Sequence, residues 1–394
     1  MTIAACIIGT NTLELWGLDA RERVARQLRG LGVTLLDDLA RLPATTSQVL
    51  LIHADYLFEV RTFKGLLAHP GAALACPADG QVAAALLEPA TAQVVAANWP
   101  ASDTLPAGVV LLEPAALEAF DGHLRKTAPP LLEPLAAARR DELESLLYGN
   151  AYKGITDFVT KWWWPRPARY LVGVCARAGV TPNMVTLTGV VLMLCSCAWF
   201  YHGQYVAGLL SGWVMTLLDT VDGKLARVTV QSSPLGHVLD HGMDIIHPPY
   251  WYVLWGLGLG LPAVGGIELS VLHLVIVGGY IGGRLLEALF HALGRCSLFA
   301  WRPFDAYFRL FTARRNPCLV LLSLPTMVGR PDLGLLAVAG WTALSTAIMG
   351  IRLAQAALVR LGGPPLESWL SEPDAATRHP AAYASFSGTR KAYG

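Results

Sequence analysis

Between Asp219 and Asp244 the chain reads DTVDGKLARVTVQSSPLGHVLDHGMD, which sets four aspartates and an arginine inside one of its most apolar stretches. Carboxylates in such surroundings are costly, so function is the default explanation for them. Asp219, Asp222, Gly223, Ala226 and Arg227 fall at i, i+3, i+4, i+7 and i+8, and a helix would carry all five on one stripe. From Val228 to Leu235 the apolar period is lost, and Ser232, Ser233 and Pro234 read as a turn feeding a second helix. Gly236, Asp240 and Asp244 follow there at i+4 steps. Two facing helices would offer four carboxylates to one pocket, the oxygen-only ligand set that hard divalent cations take. Gly223 and Ala226 have two readings. Either they let a large ligand such as a nucleotide approach the backbone, with Arg227 as phosphate partner, or they are small residues packed between membrane helices.

The elements that must position these groups follow from composition and periodicity. Of 394 residues 54% are hydrophobic and 15% charged, with a net charge of +1 and a mean hydropathy of +0.44. That balance fits an integral membrane protein with a soluble part, and near-neutral charge gives no support to nucleic-acid binding. Seven scattered cysteines without CxxC spacing argue against a disulfide framework or zinc site. The N-terminus has no basic segment ahead of an apolar one, so no cleaved signal peptide is expected.

Residues 1–148 read as a soluble α/β domain. Short apolar runs (Ala4 to Ile8, Gln48 to His53, Ala73 to Cys76, Gly108 to Leu112) alternate with helical stretches (Asp19 to Gly30, Ala115 to Thr127, Pro134 to Leu147). The unevenly spaced LLEP segments are a coincidence of composition and mark no repeat. From residue 149 the composition shifts. Ile155 to Gly179, with three consecutive tryptophans and Lys161, Arg166, Arg169 and Arg177, suits a helix in the headgroup layer or a plain linker. Six apolar segments follow, at about 183–202, 205–227, 236–261, 269–293, 308–329 and 333–358, each near the length that crosses a bilayer. Positive charge (Lys161 to Arg177, Lys224 and Arg227, Arg295 and Arg302, Arg360) gathers at alternate ends. A multi-pass protein of the cell's inner membrane is expected, with both termini and the acidic motif cytoplasmic. The polar tail, 361–394, reads as flexible.

The complete set, Asp-x2-Asp-Gly-x2-Ala-Arg-x8-Gly-x3-Asp-x3-Asp, resembles the signature of the CDP-alcohol phosphotransferase family, and the resemblance extends over roughly Tyr152 to Arg360. It implies an all-α six-helix transmembrane domain (149–360) behind an interfacial helix. The implied reaction moves a substituted phosphate from a CDP-alcohol, such as CDP-diacylglycerol or a CDP-polyol, to an acceptor hydroxyl and releases CMP. It further implies two divalent cations, Mg²⁺ or Mn²⁺, held by Asp219, Asp222, Asp240 and Asp244, with Asp244 also the base, and a homodimer among membrane lipids. Donor contacts carry over to Asn183, Met184, Val185, Thr186, Gly223, Ala226, Arg227, Ser233 and Gly236. Asn183 and Ser233 serve equally as helix caps.

For the acceptor, Arg284, Arg314 and Arg315 could clamp a phosphorylated polyol, with interfacial snorkelling the expectation for Arg309 and Arg295. The first domain resembles a sugar nucleotidyltransferase in LWGLDARERVARQLRGLGV and LLIHADYLFE, with Asp55 at that family's metal-binding aspartate. The glycine-rich, arginine-containing loop is absent from IIGTNTLELW, which predicts an inactive domain. The whole resembles the fused inositol-phosphate cytidylyltransferase and di-inositol-phosphate phosphate synthase arrangement, which makes an inositol-phosphate-like acceptor attractive. Two alternatives stand beside this reading: a bifunctional enzyme that also makes the CDP-alcohol from CTP, and a transporter whose buried charges line a substrate path.

Overall fold

The computed structural model describes residues 2–99, 105–231, 234–294 and 296–388, with the backbone alone over 234–244. Apolar runs too short for helices form strands β1 (Thr2–Ile8), β2 (Thr34–Leu36), β3 (Thr46–His53), β4 (Tyr56–Phe58), β5 (Ala72–Ala75), β6 (Val82–Leu87) and β7 (Val110–Leu112). Six of them build one sheet in the order β2-β1-β3-β6-β5-β7. β1 is parallel to both neighbours, with Ala5 opposite Leu35 and Leu50, and β6 is antiparallel to β3 and β5, with Leu86 opposite Leu50 and Ala72. Strand alternation divides the core in two. Leu50, Ile52, Leu74 and Leu86 pack with α1 (Ala20–Gly30) and α2 (Val60–Leu67), whereas Val49, Leu51, Ala85 and Leu87 pack with α3 (Pro89–Ala97). Helices on both faces explain why the central strands are apolar at consecutive positions.

The segment expected as a helix, Ala115 to Thr127, is instead a 3₁₀ turn followed by a hairpin of β8 (Phe120–Asp121) and β9 (Lys126–Thr127). Asp121 Oδ1 accepts from the Leu124 N–H at 2.9 Å, a local turn that competes with helix. The next expected helix starts late, as α4 (Arg140–Asn150), after β10 (Leu132–Pro134) has paired with β4. β6 and α3 have no counterpart in the expectation, because their alanine-rich segments show no clear period.

The helical part comprises α5 (Pro165–Arg177), α6 (Pro182–Tyr201), α7 (Tyr205–Val228), α8 (Pro234–Gly258), a hairpin of β11 (Ala263–Val264) and β12 (Ile267–Glu268), α9 (Leu269–Leu293), α10 (Pro303–Phe311), α11 (Arg315–Met327) and α12 (Pro331–Leu361). Three helices, α6, α9 and α12, are long and apolar enough to cross a membrane, the mark of an integral membrane protein. Leu187, Val191 and Leu194 form an exposed apolar stripe on α6. At Gly208 a Cβ would collide with the Phe200 ring, so glycine is what lets α6 and α7 pack closely.

Three further expectations are corrected. The span at 308–329 is broken, because Pro317 has no N–H for the Ala313 carbonyl; a proline is tolerated in a first turn, and the helix restarts at Arg315. Ile155 to Gly179 is not one helix but a π-helical turn (Val159–Trp163) and then α5, whose Pro165 sits at its start. The tail is folded through residue 388: with α13 (Ala375–Arg378) and α14 (Pro380–Phe386), it buries Trp369, Leu370 and Phe386 against Phe290, Phe299 and Trp301. Those three large apolar residues in a polar stretch are enough to dock it.

The two parts of the chain dock at the C-terminal end of α7. Arg23 of α1 donates from Nη1 to Val228 O at 2.7 Å, and Arg26 donates from Nη1 to Thr229 O at 2.8 Å. Last-turn carbonyls lack intrahelical partners, and cations are the favoured groups there.

Candidate active site

The acidic stripe lies on the last three turns of α7. Asp222 is buried, and its Oδ2 accepts from Thr186 Oγ1 of α6 at 2.6 Å while Oδ1 accepts from the Gly223 N–H at 2.5 Å. Asp219, one turn earlier, is held by both guanidinium nitrogens of Arg315 at the start of α11, at 3.1 and 2.5 Å. A bidentate pair of this kind fixes orientation as well as charge. Thus a residue expected at the donor site meets one expected metal ligand, and a residue expected at the acceptor site meets another.

Helix α6 is capped by Thr181, whose hydroxyl accepts from the Met184 N–H at 3.4 Å, so the cap is not Asn183. Asn183 and Met184 are exposed, and Val185 is buried against Val221 and Leu225. A Cβ on Gly223 would lie 3.5 Å from the Arg227 guanidinium, which folds back along the helix and donates to Ala151 O at 3.2 Å. Lys224 donates to the same carbonyl at 3.1 Å and lies 3.8 Å over the Tyr152 ring. Gly236 sits in the first turn of α8. Ser233, Arg295 and the side chains of Asp240 and Asp244 lie outside the described residues.

Two cavities flank the stripe. The larger, about 420 Å³, is walled on one side by Ala226, Arg227 and Gln231 of the motif region and on the other by Arg23, Glu59, Arg61 and His123 of the α/β part. Local sequence carries no signal for that second wall. The smaller cavity, about 270 Å³, brings together the three arginines expected to bind the acceptor, Arg284, Arg314 and Arg315. Arg125, Lys153 and Arg309 join them, together with Asn316 from the first turn of α11. Arg309 therefore lines a polar cavity and does not only snorkel. Glu287 pairs with Arg314 and lies 3.9 Å from Arg284, and Asp157 accepts from Asn316 Nδ2 at 3.1 Å. Positive charge still exceeds negative, and the N-terminal end of α11 adds its dipole to it. Ile245, the residue after Asp244, lines the same cavity.

For a divalent cation the donor chemistry is apt: Asp219 and Asp222 are hard oxygen ligands one turn apart. Among the described residues no cluster of three or more His, Cys, Asp or Glu converges, the other two aspartates being outside that set. In the α/β part Asp55 Oδ1 accepts from Asn11 Nδ2 at 2.9 Å, and Tyr56 OH donates to Asp79 at 2.9 Å.

Three apolar helices long enough to span a bilayer, with an acidic stripe on the neighbouring α7 and a cationic cavity close by, define a membrane protein with a charged site. Residues 179–293 match the sequence model of the CDP-alcohol phosphatidyltransferase family. It is 31% identical over 117 residues to an archaetidylinositol phosphate synthase of Pyrococcus horikoshii, a match covering 29% of this chain and 58% of that protein. Similarity to cholinephosphotransferase 1 is 30% over 139 residues for Xenopus laevis (32% of this chain, 33% of the relative). For Gallus gallus it is 32% over 126 residues (29% and 36%). The chain thus spans only a third to somewhat over half of the length of these relatives.

Proposed function

We propose that this protein transfers a substituted phosphate from a CDP-alcohol to a hydroxyl of a phosphorylated polyol and releases CMP. The observation that supports this reading is the Asp219–Arg315 pair, because it joins a motif aspartate to an arginine that lines the cationic cavity. Asp219, Asp222, Asp240 and Asp244 would hold two divalent cations, Mg²⁺ or Mn²⁺, which when bound neutralise the diphosphate and stabilise the leaving CMP oxygen. The chain's own groups do the rest. Thr186 orients Asp222, and Arg227 faces the larger cavity, where the cytidine diphosphate would lie. Arg284, Arg314 and Arg315 hold the acceptor's phosphate, and Asp244 takes the proton of the attacking hydroxyl as the phosphorus–oxygen bond to CMP breaks. A small, polar, cationic cavity suits a compact phosphorylated polyol better than a second lipid tail.

The reading includes six crossings, with the site and both termini on the cytoplasmic side, where CDP-linked donors are available. The first domain is taken as non-catalytic, since its β1-to-α1 segment lacks the phosphate-cradling loop. The test is CMP release by the full chain in detergent, with CDP-diacylglycerol or CDP-inositol as donor, inositol 1-phosphate as acceptor, and Mg²⁺ or Mn²⁺. Release that needs donor, acceptor and metal together is expected; no release with either donor refutes the reading.

A further inference from the structure

The cationic cavity is not made by the helical part alone. Arg125 reaches it from the β8–β9 hairpin of the α/β domain, a region outside the residues that match the family. Its backbone is in the left-handed region (φ 49°), where a non-glycine residue costs roughly 1–2 kcal/mol. The surroundings impose that conformation. Leu124 O accepts from the Gly154 N–H at 2.9 Å, and a Cβ on Gly154 would collide with Arg125 O and Phe386 O. Thr127 N–H donates to Ser387 O at 2.8 Å. The hairpin tip is thus clamped between the entry to the helical part and the folded C-terminal tail, and the clamp aims one guanidinium inward.

What Arg125 meets there is unusual. Among the described residues its side chain makes no ion pair and no hydrogen bond; the charges that press on it are Arg309 and Arg284, and it presses in turn on Arg314. Burial, reinforced by those two guanidiniums, pushes its ionisation down to about 10, so it still carries full charge at neutral pH. A strained backbone holding a charge against like charges is a cost that folding alone does not recover, and an anion in the cavity would offset it.

We propose that Arg125 binds the phosphate of the polyol acceptor together with Arg284 and Arg309, so that the α/β domain completes the acceptor site of the helical domain. This gives the first domain a function that needs no catalysis of its own. The ligand class is a phosphomonoester on a small soluble polyol; the role of that ligand as acceptor rests on the transfer reaction proposed above, whereas its binding does not.

The discriminating variant is Arg125→Gly, which suits the left-handed backbone and deletes the side chain with its guanidinium. Binding is measured on the full-length protein by calorimetry, with inositol 1-phosphate, unphosphorylated inositol, and phosphatidic acid in micelles as probes. Loss of one charge-assisted contact predicts inositol 1-phosphate binding weakened about ten- to a hundred-fold, with no fall in melting temperature and no effect on inositol. In turnover assays the acceptor KM should rise by a similar factor, while the donor KM stays within about twofold. Equal affinity of variant and wild type for inositol 1-phosphate overturns the proposal, as does binding of phosphatidic acid without inositol 1-phosphate. A wild type that binds inositol 1-phosphate through Arg125 but releases no CMP overturns the reaction and leaves this site standing.

Discussion

Arg352→Met should unfold the active site from a distance. Arg352 of α12 forms a two-point pair with Asp305 of α10, Nε to Oδ1 at 2.6 Å and Nη2 to Oδ2 at 2.8 Å, and Asp305 is fully buried. Asp305 also accepts from the Arg302 N–H at 3.0 Å, capping α10. Methionine keeps the aliphatic stem and removes the guanidinium, which also lies 4.5 Å from the Trp301 ring centre and 5.6 Å from that of Phe304. It leaves a carboxylate in the core with one backbone donor, a loss of about 3–5 kcal/mol. At about 2–4 °C per kcal/mol for a unit of 150–250 residues, the melting temperature should fall by about 6–20 °C. Helix α10 carries Arg309 in its last turn and leads directly to the break that presents Arg314 and Arg315, so the acceptor KM should rise as well. Melting is followed by size-exclusion peak height after heating in detergent. The double variant Asp305→Leu/Arg352→Met removes both charges and should recover most of the loss. A single variant that melts within 2 °C or so of wild type would refute the argument, since no buried pair of this strength could be so cheap to break.

Thr186→Val keeps the side-chain shape and deletes the hydroxyl donated to Asp222, so CMP release should fall about tenfold or more at an unchanged fold; wild-type turnover would show that the hydroxyl does not orient the acid. Lys126, buried in β9 beside the hairpin tip, donates to Asn150 O at 2.7 Å, and burial pushes its ammonium down to about 8 from an ordinary value of 10.5. Between those values the unfolded chain binds more protons than the native one. Stability should therefore rise with pH from about 8 to about 10.5, by up to about 3 kcal/mol. Lys126→Met should flatten that rise, as read by denaturant midpoints across the range.

The sequence by itself carried the chemistry. Fixed spacings put Asp219, Asp222, Gly223, Ala226 and Arg227 on one stripe of α7, because the helical repeat is a local property that needs no partner. Apolar length marked α6, α9 and α12 as long enough to cross a membrane, because the bilayer thickness that sets this length does not depend on the fold. Local rules failed wherever the decision was made by contacts distant in sequence. The Ala115 to Thr127 segment has helical composition, yet it forms a hairpin held by Gly154 and Ser387. The tail reads as flexible from its polar sequence, yet Trp369 and Phe386 dock on the aromatic cluster of Phe290, Phe299 and Trp301. Arg125 and Lys153 reached the cationic cavity without any pattern in their own neighbourhoods, and Arg23 capped a helix 205 residues away. A motif fixes which groups can react, since their spacing along a helix is covalent. Only the packing of the hairpin, the broken helix and the tail determines which charges surround those groups, because the distances between them are set by the fold and not by the chain.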